Sequence, residues 1–109
     1  MDQASQAAEA AVITDNPQDS RFEIHVGDEL AGMALYQLRG QVISIIHTEV
    51  DDRFQGLGLA GKLARAVLDQ ARERGLAVLP YCPYIRSWIG SHPEYTDLVP
   101  ADRRAEFRL

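Results

Sequence analysis

Three successive segments of the chain are predicted to be β-strands, and in the first of them apolar and polar residues alternate, which is typical of a half-buried strand. The first segment is Arg21 to Val26, where every second residue is apolar. Further strands are predicted at Leu30 to Leu38 and at Val42 to Val50. Because only short turns separate the three segments, they are expected to form an antiparallel meander.

After the meander, the apolar residues recur with the period of an α-helix. One continuous apolar stripe consists of Ala60, Leu63, Ala64, Val67, Leu68 and Ala71. Gly75 stands where a C-terminal cap belongs. Leu76 to Cys82 predicts a strand parallel to the third one, reached by a right-handed crossover. Pro83 favours a last helix that ends near Ser91, and Tyr95 to Val99 predicts a short strand or extended segment.

The chain has the size of one domain, because 109 residues with 46% apolar content support a single core. Residues 20–99 are predicted to form that domain. Residues 1–19, rich in Ala, Gln and Asp, are predicted to be a mobile N-terminal tail. Residues 100–109 are predicted to be a charged C-terminal tail that frays.

A glycine-rich turn joins the third strand to the helix and carries the clearest indication of function. The first N–H groups of a helix lack intrahelical partners and the helix dipole is positive there, so a helix start favours anions. Gly56, Gly58 and Gly61 leave those amides unshielded by a Cβ atom. The turn is not a P-loop, and Tyr81 stands where a dinucleotide-binding loop has its acid.

The loop instead resembles the pyrophosphate loop of the GNAT superfamily of acetyl-CoA-dependent N-acetyltransferases. The matching pattern, Q/R-x-x-G-x-G/A, is Gln55-Gly56-Leu57-Gly58-Leu59-Ala60, and the resemblance extends from about His25 to Val99. It implies a minimal GNAT fold of the α+β or α/β class, a mostly antiparallel mixed sheet with helices on its faces. It also implies a strand–loop–helix–strand site for acetyl-CoA, a cosubstrate whose acetyl group passes to a primary amine by direct attack.

By the same resemblance, the pantetheine arm would pair with the backbone of Ile46 to Val50, where two strands splay apart. The residues expected to bind the cofactor are Thr48, Val50, Gln55, Gly56, Leu57, Gly58, Leu59, Ala60, Gly61 and Lys62. The superfamily usually inserts helices between its first two strands to select the acceptor, but here only Gly27-Asp28-Glu29 separates them. We therefore expect an open acceptor side, suited to a small amine or to an exposed amine of a larger partner.

Two residues of the third strand are candidates for the general base. A lysine-like amine of pKa ~10.4 is neutral only about once in 2,500 at pH 7, which costs roughly 4.6 kcal/mol. A nearby carboxylate or imidazole can accept its proton. Glu49 is the first candidate and His47 the second, two residues apart on one face of the strand. Alternatively, Glu49 orients the loop and His47 is a hydrogen-bonded core residue.

Cys82 and Tyr84 complete the set of catalytic candidates, expected close to the thioester. Cys82 could carry the acetyl group, could protonate the leaving thiolate, or could simply fill the strand end as a buried cysteine. Tyr84 could donate a proton to the thiolate, or pack as an aromatic.

Charge and cysteine content narrow the remaining possibilities. Residues 1–52 hold ten acids and two bases, whereas residues 53–109 hold six acids and nine bases. This asymmetry suits a bound anion near the loop, and the net charge of −5 disfavours nucleic acid and allows a cationic acceptor. One cysteine and three scattered histidines predict neither a disulfide nor a metal site.

The sequence has no leader-like opening and no run long enough for a membrane span, so it predicts a cytoplasmic monomer or weak homodimer. A non-catalytic acyl-CoA-binding module is the main alternative to an acetyltransferase. An adaptor domain with an empty cleft is the third possibility.

Overall fold

The computed structural model describes residues 10–109, which form a five-stranded sheet with two helices. The strands lie in sequential order: β1 (Ala11–Asn16), β2 (Arg21–Val26), β3 (Glu29–Arg39), β4 (Val42–Val50) and β5 (Ala77–Pro80). All pairs are antiparallel except β4 and β5, which are parallel. The predicted meander and the parallel return strand are thus confirmed, in an α+β fold with a mostly antiparallel mixed sheet.

Helix α1 (Leu59–Glu73) connects β4 to β5 and packs across all five strands. Every residue of its predicted apolar stripe except Ala60 is buried, together with Leu59. Gly75 follows the helix with φ +67°, the left-handed conformation of a helix end. Helix α2 (Pro83–Ser91) packs beside α1 and against β4 and β5. Within residues 10–109, neither helix combines the length and the apolar run that crossing a membrane requires.

The prediction of a mobile tail over residues 1–19 is wrong for Ala11–Asn16, which form the edge strand β1; residues 1–9 lie outside the described part of the chain. Side-chain contacts also hold β1, among them two hydrogen bonds from residues far along the chain. The Tyr36 hydroxyl donates to Asp15 Oδ1 at 2.6 Å, and Lys62 Nζ donates to the Ala11 carbonyl at 3.0 Å. These partners lie 21 and 51 residues away in sequence, so the local composition of β1 could not indicate them.

The C-terminal predictions also need correction. The segment expected as an extended strand, Tyr95 to Val99, lies mostly in a 3₁₀ helix over Pro93–Leu98, where the Tyr95 hydroxyl donates to Asp69 at 2.7 Å. Residues 100–109 do not fray, because two further 3₁₀ turns, Ala101–Arg103 and Ala105–Phe107, bury the Phe107 ring to 3% exposure. That ring packs edge-on against Tyr81, so a sequentially distant aromatic anchors the segment.

The sheet opens where β5 ends. The parallel pairing finishes at Ile45 and Pro80, and the Cys82 amide then donates to the Ile45 carbonyl at 2.9 Å. Among the described residues, no strand pairs with this edge of β4 beyond that point, so Ile46 to Val50 keeps a free edge. The predicted splay between β4 and β5 is therefore present.

Candidate functional site

The start of α1 presents backbone amides that the helix itself does not use. The first intrahelical bond runs from the Lys62 amide to the Gly58 carbonyl at 3.2 Å. Gly58 is the N-cap and has no side chain to accept from the amides that follow, and the first turn contains no acidic residue. The amides of Leu59, Ala60 and Gly61 therefore have no partner within the helix and lie at the positive end of the helix dipole.

The glycine loop requires glycine for its backbone conformation. Gly56 has φ +79° and Gly58 has φ +77°, where an L-residue is strained. A Cβ atom built on either glycine would meet nothing within 4 Å. The space in front of the helix start is consequently open to a ligand. Gly61 differs, because its Cβ would lie 3.7 Å from Trp88 Nε1 and 3.8 Å from the Tyr84 hydroxyl, which is ordinary contact.

The free edge of β4 lies next to these amides. Successive residues of a strand point their backbone groups to opposite sides. Because the Asp51 amide bonds to Ala31 in β3 at 2.8 Å, Val50 and Thr48 present their backbone groups to the open side. Gln55 Nε2 donates to the Val50 carbonyl at 2.8 Å, which ties the loop to the strand.

The strand edge and the helix start enclose a cleft of about 330 Å³. Most of the predicted cofactor-binding residues line it: Thr48, Val50, Gln55, Gly56, Gly58, Leu59, Ala60 and Gly61. Glu49 and Tyr84, two of the predicted catalytic residues, line it as well. Most of the residues that the sequence pattern predicts for the site thus line one continuous cleft, which we call the cofactor-side cleft.

Two of the predicted cofactor-binding residues lie outside this cleft, and one lining residue was missed. Leu57 packs against the hydrophobic core, and the Lys62 side chain extends to the Ala11 carbonyl. Phe54 lines the cleft, and the Arg53 guanidinium lies 5.2 Å from its ring centroid. In the sequence, Phe54 is distinguished only as an aromatic residue in an otherwise polar turn.

A β-bulge separates the catalytic candidates. His47 lies opposite Leu35 and Ile45 lies opposite Tyr36, so Ile46 has no partner in β3. One extra residue turns every later side chain to the other face of the sheet. Thr48 therefore faces the same side as Ile43 and Ile45, whereas His47 and Glu49 share the opposite face.

Cys82 is on the Thr48 side, away from His47 and Glu49. Its thiol donates to Thr48 Oγ1 at 3.4 Å and is 2% exposed. It does not line the cofactor-side cleft, and neither does His47. His47 and Glu49 thus share one face of the strand, as the alternation predicts, but the bulge at Ile46 sets that face opposite to the Cys82 thiol.

Tyr84 lines the cofactor-side cleft from the start of α2. It is the second residue of α2 and is 39% exposed. Burial, and to a smaller degree the neighbouring Cys82 thiol, raises the pKa of Tyr84 above its ordinary value. Its hydroxyl is therefore protonated at neutral pH.

A mostly antiparallel sheet that opens at one parallel pair, with a glycine loop and an uncapped helix start beside the opening, is the architecture of the GNAT acetyltransferases. The model of the GCN5-related N-acetyl-transferase family matches residues 21–98. This match covers most of the chain, and the protein belongs to that family.

Curated relatives are similar over the central part of the chain. Protein NATD1 from Homo sapiens and from Gallus gallus is each 37% identical over 60 residues, which are 54% of this chain and 53% and 54% of the respective relatives. The chain thus spans about half the length of the curated relatives it matches.

Solved structures share the fold. The solution structure of a GCN5-like candidate N-acetyltransferase from Staphylococcus aureus has a TM-score of 0.64 at 25% identity, covering 83% of this chain and 88% of that one. The ribosomal-protein-S18-alanine N-acetyltransferase from Escherichia coli has a TM-score of 0.51 at 22% identity, covering 69% of this chain and 44% of its own.

Proposed function

We propose that the protein is an acetyl-CoA-dependent N-acetyltransferase that moves the acetyl group to a primary amine by direct attack. The observation that carries the proposal is the uncapped start of α1 beside the free edge of β4. Backbone amides at a helix start favour phosphate, and a free strand edge favours an extended amide-containing arm. The pyrophosphate and the pantetheine of coenzyme A offer these two groups in that order.

The helix start and the strand edge would bind different parts of coenzyme A. The amides of Leu59, Ala60 and Gly61 would bind the pyrophosphate, and the backbone of Thr48 and Val50 would pair with the pantetheine. Acetyl-CoA supplies an activated thioester when bound. Gln55 acts as a positioning residue, since its side chain already donates to the Val50 carbonyl.

The chemistry is assigned to Glu49 and Tyr84, the two predicted catalytic residues that line the cleft. The Glu49 carboxylate accepts a proton from the amine, and the Tyr84 hydroxyl protonates the leaving thiolate. Cys82 has no acyl-carrying role in this proposal, because its thiol is buried behind Thr48. His47 has an indirect role at most, beside Glu49 on the strand.

A two-stage experiment tests the proposal. In a thermal unfolding experiment, acetyl-CoA at about 100 times its Kd should stabilise the protein by roughly 2.7 kcal/mol, which raises Tm by several degrees. The release of free coenzyme A thiol is then measured with a panel of primary amines. Binding without release for any amine would identify the non-catalytic acyl-CoA-binding module instead. The absence of a Tm shift at millimolar acetyl-CoA would contradict both functions.

A further inference from the structure

A second cleft, which we call the C-terminal cleft, lies between α2 and the last residues of the chain. Its volume is about 350 Å³. The α2 residues that line it are spaced i, i+3, i+4 and i+7, so they share one face of the helix. The lining consists of Pro83, Arg86, Ser87 and Gly90 from α2, and of Phe107, Arg108 and Leu109. No residue lines both this cleft and the cofactor-side cleft, so the two are separate.

The charge of the C-terminal cleft is positive, although the net charge of the whole protein is −5. Arg86 and Arg108 line it, and no acidic side chain does. Neither arginine forms an ion pair with a carboxylate of residues 10–109, that of Leu109 included. The neighbouring Glu106 is instead held by Arg103 at 2.6 Å. The two guanidinium groups therefore favour an anionic ligand.

The Arg86 side chain has hydrogen-bonding capacity that the protein does not use. Its Nη2 donates to the Tyr81 carbonyl at 3.2 Å. Its Nε is buried and, among residues 10–109, is the one buried side-chain nitrogen or oxygen without a hydrogen-bond partner. A half-buried cation without a counter-charge lowers stability. An anion in the cleft would supply that counter-charge.

The rest of the lining is small or apolar. Pro83, Phe107 and Leu109 supply apolar surface. Gly90 has no side chain, and a Cβ built on it would lie 4.0 Å from Leu109 Cδ2. A pocket with an apolar lining and a few polar groups binds a ligand that has both parts. A planar guanidinium matches the two oxygens of a carboxylate, so a carboxylate on an apolar stem fits this lining.

We propose that the C-terminal cleft binds a small carboxylate ligand with an apolar stem. The carboxylate pairs with Arg86 and Arg108, and the stem lies on Pro83 and Leu109. A short-chain fatty acid and the carboxyl end of a peptide both have this chemistry. The inference does not depend on the proposed function, because the two clefts share no lining residue.

An NMR titration of the labelled full-length protein tests the site, with hexanoate and N-acetyl-leucine representing the two sources. We expect saturable shifts at the backbone amides of Arg86, Ser87, Gly90 and Arg108, and the tighter of the two carboxylates identifies the source. Hexylamine, which has the same stem and the opposite charge, should cause no such shifts. Inorganic phosphate, which has charge but no stem, should bind about 10-fold more weakly than hexanoate.

Charge variants test the two arginines. Arg86→Gln and Arg108→Gln should each weaken hexanoate binding about 10-fold. Arg39→Gln is the control matched to Arg108→Gln. Arg39 is also exposed and forms no ion pair within residues 10–109, but it ends β3 and does not line the cleft. Arg39→Gln should therefore bind hexanoate like the wild type.

Gly90→Leu tests the shape of the cleft without changing its charge. The added side chain occupies the space between α2 and Leu109, so hexanoate binding should be lost. Circular dichroism of all variants checks that they fold. Wild-type affinity in Gly90→Leu would show that the ligand is attracted by surface charge alone and would overturn the proposal.

Further outcomes would also overturn the proposal. These are the lack of saturable shifts with either carboxylate, unchanged binding in both Arg86→Gln and Arg108→Gln, and phosphate binding as tight as that of hexanoate. Displacement of hexanoate by acetyl-CoA would place the ligand in the cofactor-side cleft and would contradict the proposal as well.

Discussion

At the scale of single residues, the proposed chemistry depends on the position of Glu49. The bulge at Ile46 turns its side chain away from Cys82, yet Glu49 still lines the cofactor-side cleft. In the proposed function, a base at this position reaches an amine that approaches from the face opposite the thiol. The bulge thus separates the carboxylate proposed as the base from the buried Cys82 thiol.

Replacing Glu49 by Gln tests its role as base. The amide keeps the shape of the side chain but accepts protons poorly, so kcat should fall about 10²–10⁴-fold with the KM for acetyl-CoA nearly unchanged. His47→Ala, two residues away on the same face but outside the cofactor-side cleft, should have a smaller effect. Stopped-time assays of coenzyme A release measure both. Full activity in Glu49→Gln would transfer the role to His47 or to water.

A second prediction separates direct attack from a covalent route through Cys82. With its thiol 2% exposed and donating to Thr48, incubation with acetyl-CoA alone should leave the intact protein mass unchanged. Cys82→Ala should keep its rate within a few-fold of the wild type, at a stability cost of about 1 kcal/mol. An acetyl adduct on Cys82 that forms stoichiometrically and is discharged by amine would reverse this assignment.

At the scale of elements, the sequence predicts those helices, strands and loops whose conformation depends on neighbouring residues. The apolar stripe predicts α1, the alternation predicts β2, and the glycines predict a loop whose φ values at Gly56 and Gly58 are positive. The bulge at Ile46 could not be predicted, since an extra β-branched residue in an apolar run has no local mark. Strand β1 and the turns around Phe107 depend on partners far away in sequence, and for that reason were mistaken for tails.

The hydrogen bond between Tyr36 and Asp15 provides a pH test of how β1 is held. Burial first, and then this hydrogen bond, raise the pKa of Tyr36 to about 12, against about 10 in the unfolded chain. The folded state thus keeps the Tyr36 proton to a higher pH than the unfolded chain does. The stabilisation that Tyr36 provides is therefore complete below about pH 10 and is lost as the pH rises to about 12.

Tyr36→Phe removes the donor but keeps the ring contact with Phe22. At pH 7 it should lower the free energy of unfolding by about 1–2 kcal/mol. Urea denaturation of both proteins between pH 7 and 12 measures the difference in their free energies of unfolding. The other tyrosines are present in both proteins, so their titration cancels in this difference. The difference should shrink above about pH 10. A difference that stays constant to pH 12 would show that Asp15 does not hold β1 through this hydroxyl.

At the scale of the whole molecule, the basic residues around the loop do not form a free phosphate site. The arginines that produce the charge asymmetry of the sequence are engaged elsewhere: Arg53 with Asp51 and Glu29, Arg65 with Tyr95, Arg72 with Asp97, and Arg74 with Asp15. The charge asymmetry of the sequence therefore does not by itself support a phosphate site at these arginines. In the proposed function, anion binding depends instead on the backbone amides and the helix dipole.

Backbone amide NMR of the labelled protein during an acetyl-CoA titration tests this claim most directly, with two alanine variants as controls. Gly58→Ala and Gly40→Ala both place a Cβ at positive φ in open space, so both should lose about 1 kcal/mol of stability, but only Gly58 lies in the loop. We predict that the largest shifts fall on Leu59, Ala60 and Gly61, are lost in Gly58→Ala, and persist in Gly40→Ala. Saturable binding whose shifts lie elsewhere, or survive unchanged in Gly58→Ala, would contradict it.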